Sequence, residues 1–403
     1  MASAEMSAIA GGGEQDFRQQ VRDWLEANCP ESMRSPYRSE ADVCWGGRDF
    51  TFQSEEQRLW LERMAEKGWT APTWPGEFGG GGLNREQAKI LKEELARIHA
   101  RPPLMSFGIS MLGPALLKFG TEEQKRQHLP PIVRGEIRWA QGYSEPNAGS
   151  DLASLQARCE DRGDHYVLNG SKIWTSYGDY GDWMFCLVRT DFEAKKQEGI
   201  SFVMFDMASP GVSTRPIRLI SGKSPFTETF FEDVRVEKDQ VIGGVNRGWT
   251  VAKYLLSHER EMIAGTGLAS AGAAPVSRTA VHALGTENGV LRNTALRAEI
   301  ARFEMDERCL DLTIERARDE AQSGASLGAS ASMFKYYGTE LNMRRYELLM
   351  AIGGLDALVW EGGASDDGNL PRNWLRSKGN SIEGGTSEIQ LNIVAKHILG
   401  LPG

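Results

Sequence analysis

Two stretches of this 403-residue chain carry side chains suited to holding a flat polar heterocycle. Gln141–Asp151 (QGYSEPNAGSD) mixes hydroxyls, small residues and one proline with no helical or strand period. Such a run reads as a rigid loop that exposes N–H groups and hydroxyls. Lys172–Ser176 (KIWTS) then sets an indole beside two hydroxyls. A third stretch, Ser381–Gln390 (SIEGGTSEIQ), lies near the C-terminus. Taken singly, each reads equally well as a structural turn. Other chemistries lack their residues. His258-Glu259 has no second histidine four positions after the first, so the zinc-protease pattern is absent and no metal site is expected. Cys29, Cys44, Cys159, Cys186 and Cys309 are scattered without a CxxC pair and read as buried free thiols. No GxGxxG opens a helix after a strand and no GxxxxGK is present, so a nucleotide must be held without those loops.

The elements that position these residues follow from periodicity. From Gln15 to Arg134 apolar residues recur at helical spacing, as in Phe17, Val21, Trp24 and Leu25, then Leu91, Leu95 and Ile98. Between Ile137 and Val241 short alternating runs are bounded by Gly, Asn, Asp and Pro. Asn169-Gly170 within Tyr166–Trp174 predicts a type I′ hairpin. Further strands are expected at Trp183–Arg189, Ile200–Met207, Val212–Leu219 and Thr229–Val236, giving an antiparallel barrel or sandwich. From Trp249 onward helical spacing returns in Leu296, Ile300, Phe303, Leu310 and Ile314, as on a bundle helix. The expected organisation is therefore α+β and multidomain: helices over 1–136, a β domain over 137–241 and a helical bundle over 242–403. Apolar residues at 40 % and charged residues at 25 % fit a globular chain. A net charge of −9 without a basic run argues against nucleic acid as a partner. No run of 18 apolar residues exists, and Met1–Gly13 lacks an apolar signal core, so a cytoplasmic protein without membrane insertion is expected.

Together the three stretches closely resemble the acyl-CoA dehydrogenase family, and the resemblance runs over almost the whole chain. It includes Trp74–Gly80 (WPGEFGG), Gly120–Pro130, Phe230–Val236 (FFEDVRV) and Gly243–Glu259. It implies a C-terminal four-helix bundle and an FAD enzyme that oxidises an acyl-CoA thioester to its trans-2-enoyl-CoA, with an electron-transfer flavoprotein as acceptor. In the family the thioester carbonyl is hydrogen-bonded, a carboxylate takes the α proton and the flavin accepts the β hydride. Gln141, Tyr143, Ser144, Gly149 and Ser150 match its first flavin loop, and Trp174, Thr175 and Ser176 its second. Thr386 and Glu388 match C-terminal positions that meet the nucleotide, and Gly354 matches a glycine that reaches it from a neighbouring subunit. A homotetramer is implied, built as a dimer of dimers.

The base takes more argument. Many members place a Glu two residues before the Thr of the C-terminal motif, where this chain has Gly384. A second family pattern puts the base in a Glu-Arg pair on the first long C-terminal helix, and Leu256–Arg260 (LSHER) matches it. Glu259 is then the candidate base, with Arg260 and Gly384 on the substrate side and Glu383 the rival. A solvated helix carboxylate is the plain alternative for Glu259. One departure stands out: the family's Arg-x-x-Phe-Gly, whose Arg reaches the flavin pyrophosphate of the adjacent subunit, has no counterpart in 274–293, where Arg278 or Arg292 are the substitutes available. A heteromeric subunit, a flavin oxidase and a non-catalytic flavin-binding protein are the competing readings.

Overall fold

The structure, a computed structural model, describes residues 13–37, 40–256, 274–322, 329–362 and 367–402. It divides into two compact units: Met1–Asn147 with Ala153–Arg215 and Thr227–Ala252, and Ala148–Leu152 with Pro216–Phe226 and Lys253–Gly403. The first unit holds both helices and the sheet.

In that unit the helices are α1 (Glu14–Asn28), α2 (Glu55–Glu66), α3 (Arg85–Arg97), α4 (Gly113–Phe119) and α5 (Glu122–Val133). Their starts are set locally. The Ser54 side chain caps α2, and Asn84 with Gln87 and Thr121 with Gln124 form reciprocal capping boxes on α3 and α5. Phe17, Val21 and Leu25 of α1 pack on Trp60, Met64, Ile90 and Leu91, the apolar face read from the spacing.

Beside that core, buried Glu94 accepts from Arg22 at 3.0 and 3.1 Å, from Arg18 at 3.2 Å and from Arg97 at 2.5 Å. The Arg22 bond leads in pulling its carboxyl down to about 2. A depressed carboxyl adds stability that is complete above its unfolded value of 4.5 and is lost as pH falls toward about 2. Discounted for the part-exposed guanidinium groups, this is worth about 2 kcal/mol. Unfolding of wild type is therefore expected to become easier between those pH values, and Glu94→Gln to flatten that dependence. Denaturant midpoints over the pH series check it, and an unchanged slope counts against the role.

The sheet holds β1 (Trp139–Gly142), β2 (Arg158–Asp161), β3 (His165–Ser176), β4 (Trp183–Arg189), β5 (Ile200–Asp206), β6 (Val212–Ile217), β7 (Phe226–Glu237) and β8 (Val241–Ile242). Its order is β6-β7-β3-β2-β4-β5-β8, with β1 added on β4, so it is open at both ends. Strand β1 lies parallel to β4, after a crossover of the length that parallel pairing needs, while β4 and β5 run antiparallel from Trp183↔Asp206 to Arg189↔Ile200. Both faces of β4 and β5 are buried, which explains their nearly unbroken apolar sequences.

The expected Asn169-Gly170 hairpin does not form. Strand β3 passes straight through the dipeptide, and the hairpin instead joins β2 to β3 at Gly163, where Arg162 N–H donates to His165 O at 2.9 Å. Asn169 is spoken for across the sheet: its Nδ2 donates to Asp233 Oδ1 and its Oδ1 accepts from Asp233 N–H, both at 2.9 Å. At Gly170 a Cβ would stand 2.9 Å from Ala157 Cα, so the glycine serves a close strand approach.

After α6, which begins at 248 and is described to 256, the second unit holds α7 (Val276–Leu284), α8 (Thr294–Gln322), α9 (Ser330–Gly353), α10 (Asn369–Ser377) and α11 (Ser387–His397). Leu296, Ile300, Phe303 and Leu310 of α8 form one core with Phe334, Leu341, Leu348 and Ile352 of α9, and Ile314 packs at its edge. Among the cysteines, Cys29, Cys44, Cys159 and Cys186 are buried, whereas Cys309 is exposed on α8.

Candidate functional site

In the first unit the loop after β1 and the end of β3 are laced together. Ile173 N–H donates to Ser144 O at 2.8 Å. Lys172, fully buried, donates from Nζ to Tyr143 O at 3.1 Å and to Glu145 Oε1 at 2.8 Å. Glu145 in turn accepts from Gln156 N–H at 2.6 Å and Ala157 N–H at 2.9 Å. A buried ion pair thus fixes the distance between the two loops. Neither Lys172 nor Glu145 was singled out from sequence. The signal was there: on β3, Lys172 shares the inward parity of Tyr166 and Leu168.

That parity would also turn Trp174 inward. Instead Trp174 takes a left-handed φ of 61°, the inward position passes to Thr175, and the indole stands 53 % exposed. A bulky residue in that region costs about 1–3 kcal/mol and persists only where its neighbours over-determine it. Here they do. Thr175 is fully buried; its carbonyl accepts from Thr227 Oγ1 at 3.4 Å and its hydroxyl from Thr229 Oγ1 at 3.3 Å. Tyr143 is buried, Gln141 half-buried, and Ser144 and Ser176 half-buried on either side of the tie. Beyond Ser176, Tyr177 also has positive φ, and the Arg138 guanidinium lies 4.7 to 5.3 Å from the ring centres of Trp45, Tyr177 and Tyr180. Burial among those rings lowers the Arg138 pKa.

The second unit carries the remaining candidates. Gly149 and Ser150 are exposed, and a Cβ at Gly149 would meet nothing within 4 Å, so internal packing does not call for glycine there. Gly354 ends α9, its N–H donating to Met350 O. Thr386 caps α11 by accepting from Ile389 N–H at 3.2 Å, and the Glu388 carboxyl is lowered by its own backbone N–H and by the Thr386 hydroxyl. Gly384 and Gly385, with φ of 64° and 89°, form the turn before it. Glu383 is clamped: Oε2 accepts from Arg376 Nη2 at 2.6 Å, and Oε1 accepts from Asn380 Nδ2. Arg292 forks onto Glu287 at 2.7 and 3.3 Å, and Arg278 is exposed on α7. Glu259 and Arg260 lie outside the described residues.

Three family models match in series: the acyl-CoA dehydrogenase N-terminal domain over 13–136, the middle domain over 140–234 and the C-terminal domain over 246–399. The chain belongs to the acyl-CoA dehydrogenase family. Acyl-CoA dehydrogenase IpdE1 of Mycobacterium tuberculosis is 35 % identical over 96 % of this chain and 98 % of its own, and IpdE1 of Mycolicibacterium smegmatis is 33 % identical over the same shares. Among solved structures, the Tcur3481-Tcur3483 steroid ACAD matches with a TM-score of 0.75 at 31 % identity, over 96 % of this chain and 97 % of that one. The ChsE4-ChsE5 complex of Mycobacterium tuberculosis matches with a TM-score of 0.73 at 30 % identity, over 97 % and 98 %. This acyl-CoA dehydrogenase is accordingly an oxidoreductase acting on a CH–CH donor, in a family that depends on FAD. The first unit fits such a group: an indole held outward at energetic cost, next in chain to Ile173, whose N–H ties the Ser144 loop to the strand, suits a flat heterocycle that stacks. Among the described residues, no helix is long and apolar enough to cross a membrane.

Proposed function

We propose that this chain binds FAD and converts an acyl-CoA thioester to its trans-2-enoyl-CoA, passing electrons to an electron-transfer flavoprotein. The observation that carries the reading is the Ser144–Ile173 backbone tie with Trp174, the next residue, turned outward. Bound FAD supplies hydride acceptance at its N5 edge. The chain's residues do the rest. Trp174 flanks the ring, Ser144, Ser176 and Tyr143 with Gln141 meet its polar edge, and Thr175 contributes through its backbone because its hydroxyl faces inward. Gly149, Ser150, Gly354, Thr386 and Glu388 take the nucleotide half. Gly384 N–H donates to the thioester carbonyl, Arg260 serves on the substrate side, and Glu259 removes the α proton.

The test is a panel of acyl-CoA thioesters, mixed anaerobically with purified protein and then assayed with an artificial electron acceptor. The panel includes bulky polycyclic acids, since one similar structure is a steroid ACAD. Yellow protein with about one FAD per chain, bleached by at least one thioester, is expected. Flavin-free protein that holds a nicotinamide, or flavin that no thioester bleaches, counts against the reading. Oxygen consumption in place of acceptor reduction would mark an oxidase.

A heteromeric subunit is the second reading. It is favoured by the missing Arg-x-x-Phe-Gly, by Arg292 being engaged with Glu287, and by the likeness to the Tcur3481-Tcur3483 steroid ACAD and the ChsE4-ChsE5 complex. Exposed Leu355, Leu358, Ile382 and Leu399 in the second unit suit burial against another subunit. Light scattering separates the cases: a flavin-loaded tetramer supports the homomeric form, a flavin-poor dimer the heteromeric one.

A further inference from the structure

Arg138 stands just before β1 in the first unit, and its backbone is fully committed. Its N–H donates to Asp182 Oδ2 at 2.8 Å, and its carbonyl accepts from Asp182 N–H at 2.8 Å and Trp183 N–H at 3.2 Å. The guanidinium is a different case. Among the described residues no side chain or carbonyl accepts a hydrogen bond from it; the rings of Trp45, Tyr177 and Tyr180 pack around it instead. Trp45 and Tyr177 also touch each other, with centroids 5.0 Å apart, and Phe107 packs edge-on against Trp45 at 5.9 Å. Neither nearby carboxylate answers the charge. Asp182 Oδ2 is shared by the N–H groups of Arg48 and Arg138, both at 2.8 Å, and burial raises the Asp179 carboxyl by more than Arg138 lowers it. A cation drawn out of water needs acceptors in return, and rings replace only part of its hydration.

We infer that Arg138 is a binding site for an organic carboxylate, the guanidinium taking its two oxygens and the rings of Trp45, Tyr177 and Tyr180 flanking its carbon body. The planar fork matches a carboxylate with two parallel hydrogen bonds. The walls argue for carbon behind the charge: a bare inorganic ion would leave the rings uncovered, and a chain of net charge −9 offers no general field that gathers anions. Tyr177 follows Ser176 directly, so the slot adjoins the stretch read as flanking the flavin. The carboxylate then has two sources: a second carboxylate at the far end of the acyl group, or a free carboxylic acid. The first source rests on the dehydrogenase reading, and the second does not.

The experiment uses the full-length protein as purified, as wild type, Arg138→Met and Arg138→Lys. Methionine keeps an apolar stem against the rings and removes a charge that burial disfavours, so the fold should survive. In the first arm, melting midpoints are followed against rising benzoate, glutarate and inorganic phosphate, with chloride holding the ionic strength constant. A rise of at least about 2 °C with benzoate or glutarate in wild type, absent in Arg138→Met and weaker in Arg138→Lys, marks a free carboxylate as ligand. The second arm compares two acyl-CoA thioesters of equal length, one ending in a carboxylate and one in a methyl group. A fall of at least about tenfold in the kcat/KM ratio of the first to the second in Arg138→Met, partly restored in Arg138→Lys, marks the acyl group as the source. Either result supports the inference. No effect in both arms, an equal midpoint rise in Arg138→Met, or phosphate acting through Arg138 as strongly as the organic acids overturns it. If no thioester bleaches wild type, the dehydrogenase reading fails by itself and the first arm alone decides whether Arg138 binds a carboxylate.

Discussion

Glu259→Gln is expected to retain FAD and bind acyl-CoA while flavin reduction slows by at least about a hundredfold, the lower end of what a general base contributes. The α C–H of a thioester is far less acidic than any side chain at neutral pH, so a positioned carboxylate and a polarised carbonyl are both required. At the C-terminal site Gly384 offers an N–H but no side chain. Its neighbour Glu383 is poorly placed to serve, since one oxygen is held by the Arg376 guanidinium and the other by the Asn380 amide. Taking up a proton would cost Glu383 those bonds. A carboxylate at 259 that loses water as the acyl chain enters gains basicity instead. Gln keeps the shape and cannot accept the proton. Anaerobic stopped-flow mixing of Glu259→Gln and Glu383→Gln with the same thioester decides between them. Near-normal bleaching in Glu259→Gln with loss in Glu383→Gln moves the base to the turn, and near-normal bleaching in both leaves the mechanism without one.

What the sequence made legible was whatever repeats with a period. The apolar spacing in Phe17, Val21 and Leu25 and in Leu296, Ile300 and Phe303 maps directly onto buried helix faces, and the apolar runs of β4 and β5 onto the buried strands. The misreading at Asn169-Gly170 arose because a local turn preference was outweighed by pairing across the sheet, where Asp233 satisfies the Asn169 side chain. At Trp174 the period-two reading fails, since one left-handed residue shifts the alternation that would otherwise turn the indole inward. Lys172 and Arg138 escaped notice for a different reason. Their partners are a carboxylate 27 residues away in the chain and the rings of Trp45, Tyr177 and Tyr180. No periodicity records such contacts.

Removing Lys172 alone is expected to destabilise the first unit more than removing the charge of both partners. In Lys172→Met the Glu145 carboxylate stays buried with hydrogen bonds only from the Gln156 and Ala157 N–H groups and with the buried Arg189 charge as partial compensation, and breaking a buried pair of this kind costs up to about 3–5 kcal/mol. Lys172→Met with Glu145→Gln removes both charges of the pair while the carbonyls of Ala153, Leu155 and Lys196 still hold Arg189, and the new amide oxygen can still accept from Ala157 N–H, so at least about half of that loss should return. Stability and cofactor binding should then part company. The double variant keeps a folded sheet, yet it lacks the Nζ bond that holds Tyr143 O, so the loop carrying Tyr143 and Ser144 is tied to β3 by the Ile173 N–H alone and is held less firmly. Urea midpoints of the flavin-free proteins are expected to rank wild type above the double variant and the double variant above Lys172→Met. FAD titration should show weaker binding in the double variant at a temperature where it is fully folded. Additive losses in the two single variants would mean that the charges do not compensate each other. Unchanged FAD affinity in the double variant would mean that the tie serves the fold of the sheet and not the spacing of the two loops.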